Sequence, residues 1–255
     1  CFLKVSFWRN INYFFLFKNF FKKINHKNIY YLFENISWEK SLNFCNTKSK
    51  LFPYQHTSVR DWDFRYHLFK FEKKFYKKFM PNEVFANSKY NRSKLKKSLS
   101  NIQIYNTKST RYSLPLKNSN KIKNNTILIL GDIDNTETNK MIKLLKLNNN
   151  FNLHIKTHPA ADFDLNFENI KIVKGEINEL ISRYNKILCS NSTTSVFEVI
   201  INKKKPFVYW DLNKINLCPL KDFMRINFVS CEKDLTKFNN NNTNINHNKF
   251  IKKFF

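Results

Sequence analysis

Short apolar segments alternate with amphipathic segments along the second half of the chain, and this alternation limits the folds open to it. Thr126–Leu130 and Lys186–Cys189 are runs of four or five mostly apolar residues, which is typical of strands buried on both faces. Each run is followed by a turn and then by a segment with helical spacing. Strands that alternate with helices in this way predict a parallel sheet covered by helices. The predicted fold class is therefore α/β.

The same two patterns predict the other elements. Further strands are predicted at 28–33, 50–55, 83–86, 151–157, 170–173, 206–210 and 227–230. Helices are predicted at 35–44, 68–79, 88–99, 136–147, 176–183 and 195–201, with a last one at 247–255. Asn87 or Ser88 is predicted to cap the third of these helices, and Asn135 or Thr136 the fourth.

A polar segment without periodicity divides the chain. Residues 113–125 gather Asn, Ser, Lys and Pro, which is typical of a linker. The chain has 255 residues, enough for two domains of Rossmann size. We therefore predict one domain at 1–115, a second at 116–236 and an Asn- and Lys-rich tail at 237–255. Because the chain begins with Cys1 rather than Met, the first domain is expected to be incomplete.

The chain has a strong excess of positive charge, with 45 Lys and Arg residues against 19 Asp and Glu and a formal net charge of +26. Such an excess favours nucleic acid, acidic lipid or a phosphorylated substrate as partner. The alternative is the compositional bias of an AT-rich genome. Lysines are dispersed and no RRM, KH or helix-turn-helix signature is present, so no nucleic-acid partner is predicted. Attraction to an anionic membrane remains expected, at about 1 kcal/mol for each basic residue near it.

Cysteine usage and the aromatic N-terminal stretch narrow the class of protein further. The five cysteines, at positions 1, 45, 189, 218 and 231, show no CxxC or Cys/His spacing, so no metal site is predicted. A sparse, odd number of cysteines suits a reducing cytoplasm. The stretch from Val5 to Phe21 is rich in aromatic residues, but Arg9, Asn12 and Lys18 interrupt it. It is too polar and too short to be a membrane-spanning helix.

A run of hydroxyl side chains follows the predicted strand at 186–189. Ser192, Thr193 and Thr194 stand where a helix begins, and free backbone N–H groups there can bind an anion together with hydroxyl groups. The arrangement favours a phosphate or pyrophosphate. Glu198, one helical turn further, is a candidate to accept hydrogen bonds from ribose hydroxyls. The alternative is that the hydroxyls only cap the helix and that Glu198 is a solvated acid in its first turn.

The turns after two other predicted strands bring polar groups to the same edge of the sheet. Lys156 and His158 end one strand, and both can donate hydrogen bonds to phosphate oxygens. Pro159 favours an extended backbone at His158. Gly131 and Asp132 form the turn after the strand at 126–130. Ligands of parallel sheets bind at the carboxyl ends of the strands, so these turns are predicted to form one site. The alternative for His158 is a strand-ending residue without a ligand.

A third polar loop follows the predicted strand at 50–55. It begins with His56, a natural general base because histidine titrates near neutral pH. Charged and aromatic residues follow it: Arg60, Asp61, Trp62 and Asp63. Glu34 ends the strand at 28–33 and is the second candidate base. The alternatives are a structural loop with internal salt bridges, and for Glu34 an acid at the start of the next helix.

These residues resemble those of known enzymes. A strand, His158-Pro159, a Ser/Thr-rich loop and a helix that carries Glu198 resemble the C-terminal domain of GT-B glycosyltransferases of bacterial capsule, teichoic acid and sialic acid transfer. The stretches FENISWEKSL and PYQHTSVRDWDFRY resemble more specifically a family of bacterial surface carbohydrate biosynthesis proteins with Glu-x-x-x-Trp-Glu and His-[ST]-x-[VI]-Arg-x-Trp-Asp stretches. The resemblance covers roughly residues 28–230. It implies two Rossmann-like domains, with an acceptor-side domain first and a nucleotide-sugar domain second.

The resemblance also implies roles for single residues. His158 and the hydroxyl groups of 192–194 match residues that contact the donor phosphate, and Glu198 matches the acid near the ribose. His56 matches a His at the end of a first-domain strand in related transferases, where it is the proposed base; Glu34 stays the alternative base on its position in the chain alone. Thr57 replaces the Gly that often follows this His in the teichoic acid polymerases, and the Asp-Asp-Gly-type base motif of sialyltransferases is not found in the sequence.

The resemblance implies a glycosyltransferase that moves a sugar from a nucleotide-activated donor, with a CMP-linked sugar as one candidate, to a surface polysaccharide or lipid-linked glycan. No metal or further cofactor is expected. The expected location is the cytoplasm, with peripheral contact with the anionic inner membrane as an open alternative. Two other functions stay open at this point: a basic nucleic-acid-binding protein and a non-catalytic fragment of a transferase.

Overall fold

The computed structural model describes residues 5–66, 77–109, 122, 125–147, 150–162, 167, 170–221, 226–239 and 250. The described residues form two compact units, at 5–109 and at 122–250. The linker predicted at 113–125, and with it the boundary at 115, lies outside the described residues except for Ile122 and Asn125. The helix predicted at 247–255 lies outside them except for Phe250.

The first unit is built on a parallel sheet of four strands. Its strands lie in the order β1-β2-β3-β4 and are β1 (Asn28–Phe33), β2 (Lys50–Gln55), β3 (Glu83–Ala86) and β4 (Gln103–Asn106). Its helices are α1 (Val5–Lys23), α2 (Ser37–Cys45) and α3 (Lys89–Ser98), with a 3-10 turn at Phe64–Tyr66. All strand pairs are parallel, which follows from the helices and loops that connect successive strands.

The two faces of this sheet differ in burial because side chains alternate along each strand. One face packs a core of Phe33, Val59, Val84, Leu95 and Ile104. On the other face, aromatic rings stack across all four strands. Among the described residues, the stacked pairs have centroid distances of 4.7 to 6.4 Å: Tyr30–Phe52, Tyr30–Tyr54, Phe52–Phe85, Tyr54–Phe85 and Phe85–Tyr105. This face is partly open to solvent, with Tyr30 64% exposed.

The second unit is built on a parallel sheet of six strands in the order β10-β9-β8-β5-β6-β7. The strands are β5 (Thr126–Leu130), β6 (Asn152–Lys156), β7 (Ile170–Ile172), β8 (Lys186–Cys189), β9 (Pro206–Tyr209) and β10 (Asn227–Val229). The helices are α4 (Asn135–Lys146), α5 (Ile177–Arg183) and α6 (Ser195–Ile201), with a 3-10 helix at Glu232–Asn239. Central strands β5 and β8 are buried on both faces, as their unbroken apolar runs predict. The α/β fold class is confirmed.

Several elements differ from the prediction. Helix α1 and strand β4 were not predicted. Asp134, not Asn135 or Thr136, caps α4, because its side chain accepts a hydrogen bond from the Thr136 backbone N–H at 2.9 Å. Ser88 caps α3 as predicted. Of the helix predicted at 68–79, residues 68–76 lie outside the described residues and 77–79 form a turn. None of the described helices is long and apolar enough to cross a membrane.

Gly131 lies where a strand end and a helix approach closely, and it gives a stability prediction. A Cβ at this position would lie 3.2 Å from Thr138 Oγ1 and 3.5 Å from the Lys156 carbonyl oxygen. We expect Gly131→Val to lower the free energy of unfolding by about 1–3 kcal/mol, because Thr138 must move away from its hydrogen bond with the Asp132 backbone N–H. Urea unfolding of Gly131→Val and Gly131→Ala tests this. An unchanged midpoint in the Val variant would contradict it.

Candidate functional site

The loops that follow β5, β6 and β8 lie side by side at the carboxyl edge of the second sheet. The Gly131 backbone N–H donates to the Lys156 carbonyl at 3.0 Å, and the Ser190 N–H donates to the Leu130 carbonyl at 3.1 Å. These bonds continue the strand pairing of β5 with β6 and of β5 with β8 into the loops. The three post-strand turns that carry the predicted donor-side residues are therefore neighbours.

Asp132 links the first of these loops to the hydroxyl loop. It is buried, and its Oδ2 accepts a hydrogen bond from Ser192 Oγ at 2.5 Å. Thr193 Oγ1 donates to Ser195 Oγ at 3.1 Å and accepts from the Ser195 backbone N–H at 3.2 Å. The hydroxyl protons of Ser192 and Thr193 are thus directed to protein acceptors. Both hydroxyls position the loop. A bound anion could accept hydrogen bonds from them only if they gave up these bonds to Asp132 and Ser195.

His158 is oriented by its own turn. Its Nδ1 accepts a hydrogen bond from the Ala160 backbone N–H at 3.1 Å, and its carbonyl accepts from the Ala161 N–H at 3.0 Å. An imidazole whose Nδ1 accepts carries its proton on Nε2 when neutral, so Nε2 is the donor. Asn135 ties this loop to the start of α4, because its Nδ2 donates to the Asp162 carbonyl at 2.5 Å. His158 and Lys156 are both half-buried.

An ion cluster at the same edge was not predicted. Lys140 Nζ lies 3.1 Å from Glu137 Oε1 and 2.8 Å from Asp211 Oδ2, and Lys214 Nζ lies 2.5 Å from Glu137 Oε1. The hydrogen bonds with Asp211 and Glu137 raise the pKa of Lys140. Two of its three pairs, Lys140–Asp211 and Lys214–Glu137, join residues more than seventy positions apart in sequence, so no local pattern predicts the whole cluster. The cluster holds the loop after β9 against α4.

Glu198 lies in the interior of the second unit. It is buried, with 4% of its surface exposed, so the alternative of a solvated first-turn acid is wrong. Burial raises the pKa of the Cys189 thiol well above its usual value, and the nearby Cys218 and Glu198 add to this effect. Thr194 is also buried; it is the N-cap residue of α6, and its side chain makes no capping hydrogen bond. Contact between Glu198 and a ribose stays a prediction.

A pocket of about 310 Å³ lies at the carboxyl edge of the first sheet. Tyr30 and Tyr54 from the aromatic face contribute to its wall, and His56, Asn87 and Lys108 provide polar groups. The Asn87 side chain fixes the loop, because its Nδ2 donates to the His56 carbonyl at 3.1 Å. An apolar ring surface beside several hydrogen-bonding groups is a typical lining for a small polar ligand.

Most charged residues predicted for the acceptor side form ion pairs within the first unit. Arg65 binds Asp63 in a bidentate manner, with N···O distances of 2.8 and 2.7 Å, and lies 3.2 Å from Glu34 Oε2. Lys94 pairs with Asp61. This agrees with a structural loop that contains salt bridges, the alternative interpretation of this stretch. Glu34 is not among the described residues that line the pocket, whereas His56 is.

The remaining acceptor-side residues lie at the surface of the same loop. Trp62 is exposed and Arg60 is half-buried. Within the part of the chain that the structure describes, no three His, Cys, Asp or Glu side chains are grouped so that they could hold a metal ion. Each sheet has a histidine and further hydrogen-bond donors at its carboxyl edge: His56 in the first unit and His158 in the second.

Comparison with known proteins identifies the fold. No protein-family model and no curated protein matches the sequence. Among solved structures, a UDP-N-acetylglucosamine 2-epimerase matches with a TM-score of 0.54 at 10% identity over 90% of this chain and 66% of its own. The UDP-GlcNAc 2-epimerase of Neisseria meningitidis matches with a TM-score of 0.50 at 12% identity over 78% of this chain and 63% of its own.

A third solved structure matches almost the whole chain. Trehalose-6-phosphate synthase gives a TM-score of 0.52 at 7% identity over 98% of this chain and 72% of its own. This chain thus spans just under two thirds of the length of the two epimerases. At 7–12% identity such likeness concerns the fold alone. The chain is an α/β protein with two Rossmann-like units of the GT-B type.

Proposed function

We propose that the chain binds a nucleotide-activated sugar at the carboxyl edge of its second sheet and acts as a glycosyltransferase. The observation that carries this proposal is the joining of the loops after β5, β6 and β8, which brings Lys156, His158 and the loop at 190–194 to one edge. The fold neighbours are enzymes of sugar metabolism, and two of them carry UDP-GlcNAc in their names. Carboxyl edges of parallel sheets are the usual ligand sites of such folds.

The donor-side residues have distinct roles in this proposal. Lys156 and the Nε2–H of His158 donate hydrogen bonds to the phosphate oxygens, which offsets the charge of the departing nucleotide. Asp132 and Ser192 hold the hydroxyl loop in position through their hydrogen bond. Gly131 allows the close approach of this loop to the end of β6. No step in this scheme requires a metal ion.

The acceptor side is proposed to be the pocket in the first unit. An acceptor sugar would place an apolar face against Tyr54 and its hydroxyls near His56 and Asn87. A base there removes the proton of the attacking hydroxyl, and the oxygen then forms a bond with the anomeric carbon as the nucleotide leaves. His56 fits this role better than Glu34, because His56 lines the pocket and Glu34 is ion-paired with Arg65.

We propose bacterial surface polysaccharide or a lipid-linked glycan as the acceptor, and a CMP- or UDP-linked sugar as the donor. The resemblance of residues 34–66 to surface carbohydrate proteins supports the acceptor class. The net charge of +26 supports peripheral contact with the anionic cytoplasmic face of a membrane.

A thermal-shift screen against CMP, UDP, GDP and ADP tests the donor site. A nucleotide that binds only the folded protein raises its stability by about 2.7 kcal/mol at a hundredfold excess over Kd, so a clear rise in Tm is expected with at least one of them. The Lys156→Gln, His158→Ala double variant is expected to lose the shift. Lys143→Ala, which removes an exposed lysine from α4, is the matched control and should keep it.

Two outcomes would overturn the donor site. One is the absence of any shift in a folded sample, and the other is a shift that persists in the double variant. Product analysis then tests the reaction type. A glycosyltransferase releases free nucleotide only when an acceptor is present. Conversion of the donor sugar into another sugar without an acceptor would instead show that the protein is an epimerase.

A further inference from the structure

Helix α1 has an unusual composition for a helix on the surface of a protein. Its sequence VSFWRNINYFFLFKNFFKK contains no acidic residue, and it has basic residues at Arg9, Lys18, Lys22 and Lys23. None of its residues is buried, although more than half of them are apolar. A helix that only covered a core would bury its apolar residues on one side and be polar on the other.

One side of α1 packs against α2. Phe14 lies 5.8 Å from Phe44, and Phe17 lies 6.3 Å from Trp38, measured between ring centroids. Cys45 Sγ also lies 3.7 Å from the Phe14 carbonyl oxygen. These contacts fix which side of the helix faces the first unit.

The opposite side of α1 presents large apolar side chains to solvent. Val5 is 83% exposed, Trp8 54%, Phe15 54% and Leu16 58%. At 100° per residue these four positions lie on one face, together with Asn12 and Asn19. Arg9, Lys22 and Lys23 lie on the same exposed face. The outward face therefore combines apolar groups with cations.

We propose that this outward face of α1 docks on an anionic lipid surface. Trp8, Phe15 and Leu16 would enter the boundary between headgroups and acyl chains, and the basic residues would lie at the lipid phosphates. The helix is not apolar enough to cross a membrane, so it would lie in the plane of the surface.

Charge complementarity favours an anionic lipid surface over a second copy of the chain as the partner of this face. Two copies of α1 packed face to face would bring Arg9, Lys22 and Lys23 of both helices together without any acid on either helix, which is repulsive. A lipid surface with anionic headgroups offers both an apolar layer and the opposite charge. Docking of α1 would bring the protein to a lipid-linked acceptor, which lies at such a surface. This purpose, though not the docking itself, rests on the proposed function.

Vesicle co-sedimentation of the full chain, without nucleotide, tests this inference separately from the donor site. We expect binding to phosphatidylcholine vesicles that contain about 30% phosphatidylglycerol, and much weaker binding to phosphatidylcholine alone. Binding should fall in about 0.5 M salt, where charges are screened within a few ångströms. Failure of the nucleotide screen would leave this result unaffected, and failure here would leave the nucleotide shift unaffected.

Matched variants locate the contact. Trp8→Ser, Phe15→Ser is expected to lower the partition coefficient about tenfold, whereas Leu147→Ser, Leu212→Ser, which removes equally exposed residues elsewhere, should not change it. Lys22→Gln, Lys23→Gln should lower binding to anionic vesicles about tenfold, and the lysine pair of the last turn of α3, in Lys96→Gln, Lys97→Gln, is its control.

Three results would overturn the inference. They are equal binding by the α1 variants and their controls, no binding to anionic vesicles, and a dimer in solution that the Trp8→Ser, Phe15→Ser change dissociates. The last result would assign the face to a second copy of the chain. Circular dichroism of each variant confirms that it is folded before the binding data are compared.

Discussion

Replacement of Glu39 by alanine is expected to lower the free energy of unfolding by about 2–4 kcal/mol at pH 5, and by less at pH 8. Glu39 lies in the first turn of α2 and is 1% exposed. Its two carboxyl oxygens accept hydrogen bonds at 2.9 Å from the backbone N–H groups of Glu34 and Asn35. Alanine would leave both donors without this acceptor, in a turn where Asn35 adopts a positive φ of 56°.

The pH dependence follows from the sign of the pKa shift. Burial raises the pKa of Glu39 from 4.5 to about 7, against the opposing effect of the backbone hydrogen bonds. Between these values the folded protein binds more protons than the unfolded protein, so stability due to Glu39 is full below pH 4.5 and is lost as the pH rises through 7. The difference between wild type and Glu39→Ala should therefore narrow over this window.

Urea unfolding at pH 5, 6, 7 and 8 measures this difference. Glu83→Ala is the control, because Glu83 lies 3.7 Å from Lys50, whose side chain is 63% exposed, and so long an ion pair should contribute about 0.5 kcal/mol or less. A cost that is the same at every pH would show that Glu39 is charged in the folded protein throughout this range.

Five strands have the bounds that the sequence predicts: β1, β2 and β3 of the first unit, and β5 and β8 of the second. Thr126–Leu130 and Lys186–Cys189 have the predicted bounds, because an unbroken apolar run is compatible with few other environments. Helix α1 was missed because its aromatic residues occur all around the helix and obscure any period. Strand β4 has only Ile104 buried, so its sequence carries almost no apolar signal.

In the candidate site, the features that depend on sheet topology could be predicted, and those that depend on side-chain geometry could not. That Lys156, His158 and the hydroxyl loop share one sheet edge could be predicted, since topology alone places the carboxyl ends of parallel strands together. The bond from Ser192 to Asp132 could not, because it joins residues sixty positions apart through side-chain geometry. The same holds for the pair of Arg65 with Glu34, which joins residues 31 positions apart and depends on a loop whose path the sequence does not specify.

The His56→Ala variant is expected to transfer sugar about a hundredfold to ten-thousandfold more slowly than the wild type, because a positioned general base contributes a factor of this size. Its nucleotide-induced thermal shift should be unchanged, since the donor is assigned to the second unit. His26→Ala is the matched control, because His26 is an exposed histidine of the same unit and only its backbone carbonyl is hydrogen-bonded to Ser49.

The Glu34→Gln variant separates the two candidate bases. If His56 is the base, Glu34→Gln weakens only the contact with Arg65, and transfer should fall no more than about threefold, in line with the small value of a partly exposed ion pair. Retained transfer in His56→Ala with loss in Glu34→Gln would assign the base to Glu34. Loss of the nucleotide shift in His56→Ala would show that His56 supports the fold or the donor site instead. The rate and the thermal shift measured on one set of samples therefore distinguish chemistry, binding and folding.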